Sequence, residues 1–442
     1  MRELTEPGRR IVLKALGGAI APLIVPSHVV GQAPGQSAPG NKMTMAVIGT
    51  GNNGYGMCEE FLKDERVQIV AVCDVNKEGP GYWDGSVRGW APAKRLVEEK
   101  SGKQGCAAFT DYRDVLRRAD VDAVCISVPD HWHARVAIDA AHAGKHIFCQ
   151  KPLSLTVHEG RLMSNEVQKS GVVWQTGSQQ RSDPSFRRMC ELVRNGRIGK
   201  VHTVRVGLPG GCPDFGKVGS QTATVPVPEG FDYAFWLGPA PEAPYCPARV
   251  GVNFRWNFDY SGGQLTDWGA HHIDIAQWGL GTDYTGPVAI RNPRGAFAQH
   301  AVYNTATEFY FEAVYESGVK LIVSNKEKGG VKFEGSDGWV WGERNRHQSS
   351  TPEIHSSPIG ERELHLYASD QHNRNFIDCI LSRKPTAAPI EVAHRSVTIA
   401  HLGNIALRTG RGLLWNPHTE QILDDPGAND MLDRPHRAPW AV

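Results

Sequence analysis

The segment Gly49-Thr50-Gly51-Asn52-Asn53-Gly54 places three glycines in a GxGxxG pattern directly after the apolar segment 43–48. The apolar segment is typical of a buried strand, and apolar residues recur at helical spacing in 55–62. In such a strand–turn–helix the first glycine makes a tight turn, the second lets the backbone approach a pyrophosphate, and the third lets helix and strand pack closely. The helix N-terminus then receives the phosphate charge. The pattern predicts a dinucleotide site at Gly49, Thr50, Gly51, Asn52 and Asn53.

A second apolar segment, 67–73, ends at Asp74, which lies 25 residues after Gly49. At this distance from the glycines a carboxylate is expected to bind the adenosine ribose hydroxyls. It would also repel a 2′-phosphate, and no arginine follows it directly, so NAD is favoured over NADP. Lys77, three residues further on, keeps NADP open as an alternative.

Strands and helices continue to alternate beyond this point. Segments 122–128, 145–149 and 172–175 are short and apolar, whereas 134–143 is rich in alanine and has the spacing of a helix. Repeated βαβ units predict a doubly wound parallel sheet, with its ligand at the carboxyl ends of the strands. The residues expected to contact the cofactor at these ends are Ser127, Pro129, Asp130, His133, Gln150 and Lys151.

These segments resemble the signature of the glucose–fructose oxidoreductase / inositol dehydrogenase (Gfo/Idh/MocA) family. The resemblance lies in Pro129 with His133, in Gly144-Lys145-His146 and in Lys151-Pro152, and it extends over roughly residues 43–410. Gln150 stands where the family usually has glutamate, which removes a carboxylate beside the nicotinamide ribose. The resemblance implies a Rossmann domain and a second domain whose open-faced sheet is used for oligomerisation.

The second half of the chain has a different pattern from the first. Segments 307–315 and 319–325 flank Glu316-Ser317-Gly318, which is a hairpin signal, and 372–381 and 397–409 are predicted helices. We therefore predict an α/β Rossmann domain over 41–180, followed by an α+β domain over 181–442 with a large, mostly antiparallel open-faced sheet.

Asp267 and His271 are four residues apart, so on a helix they share one face and can hydrogen-bond or tune each other. Oxidation of an alcohol requires removal of the hydroxyl proton as hydride leaves. A histidine held near neutral pKa by a neighbouring carboxylate suits that task. A nearby lysine ammonium would stabilise alkoxide character, and the loop of Lys151 lies at the nicotinamide end of the sheet. The family resemblance implies the same catalytic residues, Lys151, Asp267 and His271.

Two other interpretations of this stretch stay open. Asp267 and His271 are also the residues of a helix N-cap and a buried structural histidine, and His272 leaves open which histidine titrates as the base. Together with Asp274 they resemble a metal cluster, but adjacent histidines on a helix point roughly 100° apart and rarely ligate one ion together. We predict no metal.

Substrate contacts are expected from donors and flat faces that suit a polyhydroxylated ligand. His131 and His133 are expected to make loop contacts to backbone and ribose rather than to act in catalysis. The residues predicted to bind substrate are Arg181, Arg255, Trp256, Asn257 and His272.

These features predict an NAD(P)-dependent oxidoreductase that transfers hydride from a secondary hydroxyl of a sugar, glycoside or cyclitol, with a tightly bound cofactor. One alternative is a redox-neutral glycosidase that oxidises C3 transiently, eliminates the aglycone and returns the hydride. Another is a non-catalytic sugar-sensing protein on the same fold. The formal net charge of +1 gives no electrostatic basis for binding nucleic acid or an anionic membrane. The resemblance implies a homo-oligomer, a dimer or tetramer, formed through the second sheet.

The N-terminus is predicted to be a twin-arginine export signal and linker over residues 1–40. Arg9 and Arg10 precede an uncharged, mostly apolar stretch that is too short to span a bilayer stably, and a Pro/Gly/Ser/Gln-rich linker follows. A disordered or amphipathic tail is the alternative. The signal predicts a periplasmic or otherwise exported protein, and a cytoplasmic one if the signal is not used. Nine cysteines without a CxxC pair indicate folding in a reducing compartment, which agrees with export of an already folded chain.

Overall fold

The computed structural model describes residues 42–440, so the predicted export signal and linker lie outside the described residues. The first sheet is parallel and has six strands in the order β3-β2-β1-β4-β5-β6. Its strands are β1 (Met43–Ile48), β2 (Val67–Cys73), β3 (Ala107–Phe109), β4 (Ala123–Ile126), β5 (His146–Cys149) and β6 (Trp174–Thr176). The predicted doubly wound parallel sheet is confirmed, and its order reverses between β1 and β4, where such sheets bind their ligands.

Helices cover both faces of this sheet, which explains why its strands are apolar on both sides. They are α1 (Asn52–Phe61), α2 (Trp90–Ser101), α3 (Tyr112–Leu116), α4 (Asp130–His142) and α5 (Val157–Ser170). The predicted strands and helices lie within a few residues of the observed ones. Helices α2, α3 and α5 and strand β3 were not predicted from the sequence.

The second sheet has nine strands in the order β13-β12-β11-β7-β10-β9-β8-β14-β15. Its strands are β7 (Val201–Gly207), β8 (Ala289–Phe297), β9 (Ala306–Val314), β10 (Lys320–Ser324), β11 (Gly330–Gly335), β12 (Gly338–Glu343), β13 (Arg346–Ser349), β14 (Leu413–Asn416) and β15 (Gln421–Leu423). Only the pairing of β7 with β10 is parallel among these described strands. The mostly antiparallel sheet is therefore confirmed.

One face of the second sheet packs on helices, and this packing forms the largest apolar core. The helices of this part are α6 (Pro184–Arg194), α7 (Tyr233–Leu237), α8 (Gln264–Asp267), α9 (Gly269–Leu280), α10 (Pro352–Ser356), α11 (His372–Ser382), α12 (Ile390–Thr409) and α13 (Pro426–Asn429). Helices α6, α9 and α12 supply most of the side chains that cover the sheet. Helix α12 begins seven residues before Val397, where the sequence predicts its start. It follows Pro389 directly, and proline is frequent at the beginning of helices.

The C-terminal helices also complete the cores of the first domain. The ring of Phe376 on α11 lies 6.4 Å from that of Phe61 and 5.7 Å from that of Phe148, measured between centroids. Val397 on α12 packs in the core formed by β4, β5 and α4. The two sheets are thus joined by shared apolar packing and not by a single linker.

All nine cysteines are free, and eight of them are buried. Cys73 and Cys125 are buried in β2 and β4. Between residues 42 and 440, no helix is both long enough and apolar enough to cross a membrane.

Candidate active site

Two of the three glycines in the loop after β1 act as the sequence predicts. Gly49 has φ +84°, and a Cβ at this position would lie 2.6 Å from the carbonyl of Ser127. A Cβ on Gly54 would lie 1.8 Å from the carbonyl oxygen of Gly49. The first glycine therefore permits the tight turn, and the third permits close packing of α1 on the strand.

The second glycine faces a side chain that the motif does not anticipate. A Cβ on Gly51 would lie 2.9 Å from Cε1 of Tyr82, so the tyrosine ring covers the loop at this point. The next residue, Asn52, accepts a hydrogen bond from the backbone N–H of Trp83 at 2.9 Å. The segment between β2 and α2 thus closes over the glycine-rich loop.

Asp74 lies at the end of β2 and binds the glycine-rich loop directly. Its carboxylate accepts hydrogen bonds from the backbone N–H of Thr50 at 2.7 Å, from the Thr50 hydroxyl at 3.2 Å and from the N–H of Asn76 at 2.9 Å. Burial raises the pKa of this carboxyl, although the hydrogen bonds oppose the effect. Lys77 is exposed and its stem packs beside Gly230, whereas Glu78 lines the cavity that Asp74 also lines.

The glycine-rich loop opens into a cavity of about 580 Å³. Asp74 and Lys151 both line it, at the ends of β2 and β5, which are three strand spacings or about 14 Å apart. The predicted cofactor residues that line it are Gly49, Gly51, Asn52, Asn53, Asp74, Ser127, Pro129, Asp130, Gln150 and Lys151. Thr50 and His133 lie behind this lining, because Thr50 bonds Asp74 and His133 bonds the backbone oxygens of Val128 and Pro152. The backbone contacts predicted for His131 and His133 are confirmed.

A covering segment, residues 216–252, closes the cavity from the side of the second domain. It lines the cavity with residues such as Val218, Phe231 and Trp236. Backbone hydrogen bonds join it to the segment after β2: Lys77 N to Gly230 O at 2.8 Å, Asp232 N to Val75 O at 2.9 Å and Val252 N to Gly81 O at 2.9 Å. The cavity is therefore enclosed by both domains.

The last residues that the structure describes contact this covering segment. Arg437 donates to the carbonyl oxygens of Gly238 and Ala234 at 3.0 Å each. The ring of Trp440 stacks on that of Phe235 at 5.1 Å and contacts Trp132 at 4.9 Å, measured between centroids. Opening the cavity would have to break these contacts as well.

Gln150 presents a polar group that has no partner in the protein. Its side chain is buried and lines the cavity, and neither amide atom makes a hydrogen bond to the described residues. A buried amide without a partner costs about 1–3 kcal/mol, so a ligand with both donors and acceptors suits this position. The hydroxyls of a nicotinamide ribose have that chemistry. Together with the glycine-rich loop and Asp74, Gln150 fits a dinucleotide.

An ion cluster stands at the Lys151 end of the cavity. The Lys151 ammonium lies 2.5 Å from Oδ1 of Asp267, and the Arg255 Nε donates to the same oxygen at 3.3 Å. Although burial raises the pKa of Asp267, the charges of Lys151 and Arg255 hold it well below its usual range. Asp267 is therefore ionised at neutral pH and is shared by two cations.

His271 lies one turn after Asp267, but the two side chains are not hydrogen-bonded to each other in the described structure. Its imidazole is buried and Nδ1 has no partner among residues 42–440. Burial lowers the pKa of His271 well below its usual range, and the charges of Lys151 and Arg344 add to the effect. The expectation of a pKa held near neutral by Asp267 is corrected, because burial and the charges of Lys151 and Arg344 outweigh the opposing charge of Asp267. His271 is a neutral imidazole.

Four of the five predicted substrate residues lie away from the cavity lining. The Arg181 guanidinium is buried against Asp274 at 2.7 Å and Asp283 at 2.6 Å. His272 is buried and its ring bonds the Gly207 carbonyl oxygen at 3.1 Å. Trp256 and Asn257 are buried and bond the backbone oxygens of Pro213 and Val302. These four side chains are thus internal and bonded within the protein, whereas Arg255 alone among the five lines the cavity.

Sequence reasoning missed Gln180 and Arg344. With its amide oriented to satisfy its neighbours, Gln180 donates to the His271 carbonyl oxygen at 3.2 Å and accepts from Arg344 Nε at 3.2 Å. The Arg344 guanidinium lies 4.9 Å from the ring centroid of Trp268. No local pattern predicts this contact, because Arg344 is in the β12–β13 turn, far from α9 in the chain.

Asp130 joins the two domains inside the cavity wall. Its carboxyl accepts a hydrogen bond from the Ser261 hydroxyl at 2.5 Å. Burial raises the pKa of Asp130 to about 7. In the described part of the chain, no three His, Cys, Asp or Glu side chains are grouped as metal ligands would be.

Two models of one oxidoreductase family match almost the whole described chain. The model described as "Oxidoreductase family, NAD-binding Rossmann fold" matches residues 43–178, and the one described as "Oxidoreductase family, C-terminal alpha/beta domain" matches residues 184–442. The first domain is therefore an NAD-binding domain of an oxidoreductase.

Curated relatives include two enzymes with different names. The chain is 31% identical to myo-inositol 2-dehydrogenase of Thermotoga maritima over 164 residues, which are 37% of this chain and 44% of that protein. It is 32% identical to alpha-N-acetylgalactosaminidase of Shewanella oneidensis over 168 residues, which are 34% of this chain and 35% of that protein. The chain thus spans less than half the length of these two relatives.

Among solved structures, the chain resembles the WlbA dehydrogenase from Bordetella pertussis in complex with NADH and UDP-GlcNAcA. The TM-score is 0.60 at 16% identity, and the likeness covers 85% of this chain and 99% of that one. At this identity the likeness shows the fold alone.

Proposed function

Because this chain belongs to the Gfo/Idh/MocA family of oxidoreductases, we propose that it transfers hydride between NAD and a secondary hydroxyl of a sugar, glycoside or cyclitol. The observation that carries the proposal is the ion cluster of Lys151, Asp267 and Arg255 at the wall of the nucleotide cavity, with the neutral imidazole of His271 one turn further along. The myo-inositol 2-dehydrogenase relative supports a polyol substrate.

The residues of this chain supply two functions to such a reaction, while bound NAD supplies the hydride acceptor. The Lys151 ammonium donates to the substrate oxygen and stabilises the negative charge that develops as the C–H bond breaks. The neutral His271 imidazole accepts the hydroxyl proton. Asp267 then lies close enough to stabilise the imidazolium, and its ionisation is maintained by Lys151 and Arg255. Catalytic roles for Lys151, Asp267 and His271 thus form part of the proposal.

The enclosed cavity favours a cofactor that stays bound, and this gives the redox-neutral glycosidase as a second candidate. The covering segment and its interdomain hydrogen bonds oppose exchange of the nucleotide between turnovers. A captive cofactor must be reoxidised in place, which a glycosidase achieves by returning the hydride to its own sugar. The alpha-N-acetylgalactosaminidase relative supports this candidate.

We expect the purified full chain to retain NAD through gel filtration and to release it only on denaturation, where mass spectrometry identifies it. Addition of a sugar substrate should then raise the absorbance at 340 nm by one equivalent per site. A redox-neutral glycosidase would instead release the aglycone of a glycoside with no lasting change at 340 nm. A chain that carries no nucleotide, binds none and gives neither signal would contradict both candidates.

We further propose that the enzyme prefers NAD to NADP, since the acidic residues Asp74 and Glu78 line the cavity whereas Lys77 does not. Asp74→Ser should bring the dissociation constants for NAD and NADP closer together or reverse their order, because it removes the charge that repels a 2′-phosphate. Fluorescence titration of the nucleotide-free protein measures both constants, and Asp122→Ser, remote from the cavity lining, is the matched control. A wild-type protein that holds only NADP would refute the assignment.

Export and assembly are proposals that rest on the sequence and on one feature of the second sheet. Arg9 and Arg10 support export by the twin-arginine route to the periplasm.

The face of the nine-stranded sheet opposite α6, α9 and α12 carries half-buried residues such as Tyr310, Glu312 and Lys332. We propose that this face forms the contact of a homo-oligomer.

A further inference from the structure

We propose that Asp130 is a positioning residue for the candidate catalytic cluster. By bonding to Ser261, it holds the α8 segment, residues 261–267, so that Asp267 lies against Lys151. The inference rests on the proposed function, because it concerns the reaction that Lys151 assists. It follows from the contacts that join this short segment of the second domain to the first domain.

The first domain contacts the α8 segment at both ends. At the start, the Ser261 hydroxyl donates to Oδ2 of Asp130 at 2.5 Å. At the end, the Lys151 ammonium donates to Oδ1 of Asp267 at 2.5 Å and to its backbone oxygen at 3.3 Å. Helix α8, which lies between these contacts, is one turn of four residues. A displacement at Ser261 is therefore transmitted to Asp267 over a single helical turn.

The second domain holds the same segment by contacts of its own. Asn404 on α12 donates to the Gly262 carbonyl oxygen at 3.0 Å. Gly263, at which α8 begins, has φ +72°, and a Cβ there would lie 2.7 Å from Cβ of Thr305. The start of α8 has no side-chain cap, so its position depends on these neighbours. The bond from Ser261 to Asp130 joins this start to the first domain.

The location of Asp130 suits it to align α8 with Lys151. Asp130 lines the cavity as the first residue of α4, which follows β4, and Lys151 follows β5. These two strands are neighbours in the sheet and lie about 4.8 Å apart. Ser261 is wholly buried, and its hydroxyl donates to Asp130. Two adjacent strand ends of the first domain thus hold the two ends of the α8 segment.

The bond does not depend on the protonation state of Asp130. Burial raises the pKa of this carboxyl to about 7, and the charges of Arg255, Asp267 and Lys151 also act on it. A carboxyl group accepts a hydrogen bond in both its ionised and its protonated form. Asp130 therefore positions the α8 segment without transferring a proton, and an asparagine in its place should do the same.

The test measures single-turnover reduction of bound NAD at 340 nm in the full chain, with the sugar that reduces it most rapidly. Ser261→Ala and Asp130→Ala should each lower the rate at saturating sugar by about 10–100-fold, because a misplacement of about 1 Å has an effect of this size. The half-saturating sugar concentration and the NAD content should change little. Asp130→Asn should recover the rate to within about threefold of wild type, because its amide oxygen accepts the same bond. The double alanine variant should be no slower than the slower single variant, since both changes remove one interaction.

Thr386→Val is the matched control. Thr386 is also a buried hydroxyl of the second domain, and it donates to the backbone oxygen of Trp174 in the first domain at 2.7 Å, away from the cavity lining. This variant should lower the thermal midpoint of unfolding and keep the wild-type rate.

Crystal structures of the NAD-loaded wild type and of Ser261→Ala give a second readout that needs no sugar. We expect the Asp267 carboxylate to move away from Lys151 in the variant. An unmoved α8 segment, wild-type rates in both alanine variants, or an Asp130→Asn variant as slow as Asp130→Ala would each overturn the inference. If Asp130→Ala does not fold, Ser261→Ala, which removes a single oxygen atom, provides the same comparison. Failure of every sugar to reduce bound NAD would count against the proposed function, while the two crystal structures would still decide the inference.

Discussion

His271→Ala is expected to lower the rate of hydride transfer by about 10²–10⁴-fold while NAD remains bound, because the variant lacks the base that accepts the hydroxyl proton. Single-turnover absorbance at 340 nm measures the rate, and the nucleotide content of the purified variant measures binding. Nδ1 of His271 has no partner in the described structure, so its removal leaves no other protein group unpaired. We therefore expect a large fall in the hydride-transfer rate with only a small change in the thermal midpoint of unfolding.

His272→Ala is the matched control. Its ring is buried and bonds the Gly207 carbonyl oxygen, so this variant should lose stability while retaining most of its hydride-transfer rate. The opposite pattern, with turnover abolished in His272→Ala and retained in His271→Ala, would reverse the assignment of the two histidines.

The pH profile follows from the same residue. The neutral imidazole is the active form, and a pKa lowered below the usual 6.5 keeps that form populated at lower pH. The acid limb of log kcat/KM for oxidation should therefore lie below pH 6.5. A limb near pH 7 that disappears in Asp130→Asn would report Asp130 instead, since burial raises the pKa of that carboxyl to about 7.

Lys151→Met is expected to lower kcat by about 10²–10³-fold, which is the effect of removing one donor to a developing oxyanion. Asp267 keeps Arg255 as a partner, at 3.3 Å, so the variant should still fold. The double variant His271→Ala/Lys151→Met should lose less than the product of the two single losses, because residues that act as a unit are not additive.

Lys145→Met provides a comparison within the same domain. The Lys145 ammonium is buried and donates to the carbonyl oxygens of Arg118 and Val121 at 2.7 and 2.8 Å, away from the cavity. This variant should lower the thermal midpoint and leave kcat nearly unchanged. If Lys151→Met behaves in the same way, Lys151 serves the fold and takes no part in the reaction.

The sequence predicts the first domain well because its signals are local. GxGxxG, the apolar strands and Asp74 each determine a turn, a strand or a strand end within a few residues. The structure places Gly49 and Gly54 as the motif requires and brings Lys151 to Asp267. The surroundings of Gly51 differ, because the ring of Tyr82 lies against this glycine and the motif does not predict that contact.

The substrate side is predicted poorly because its contacts are remote in the chain. Arginine is a residue type that often binds ligands. The guanidinium of Arg181, however, is paired inside the protein with Asp274 and Asp283, about 100 positions away in the chain. Arg344 has no distinctive neighbours in sequence, yet it reaches Trp268. Trp256 is a flat face that suits a sugar, but it is wholly buried. Nothing in a local pattern distinguishes an internal arginine or tryptophan from an exposed one.

The packing of α11 and α12 against the first sheet has a consequence for modularity. Phe376 and Val397 belong to two cores, and apart from other residues of α11 and α12 the buried members of these cores come from residues before 180. When parts are exchanged between homologous enzymes, the nucleotide-binding half is therefore not one continuous segment of the chain. A graft that ends near residue 180 takes the sheet and α1–α5 without α11 and α12, which complete its cores. A chimera that changes cofactor preference while retaining substrate recognition would need to transplant residues 372–407 together with the first domain.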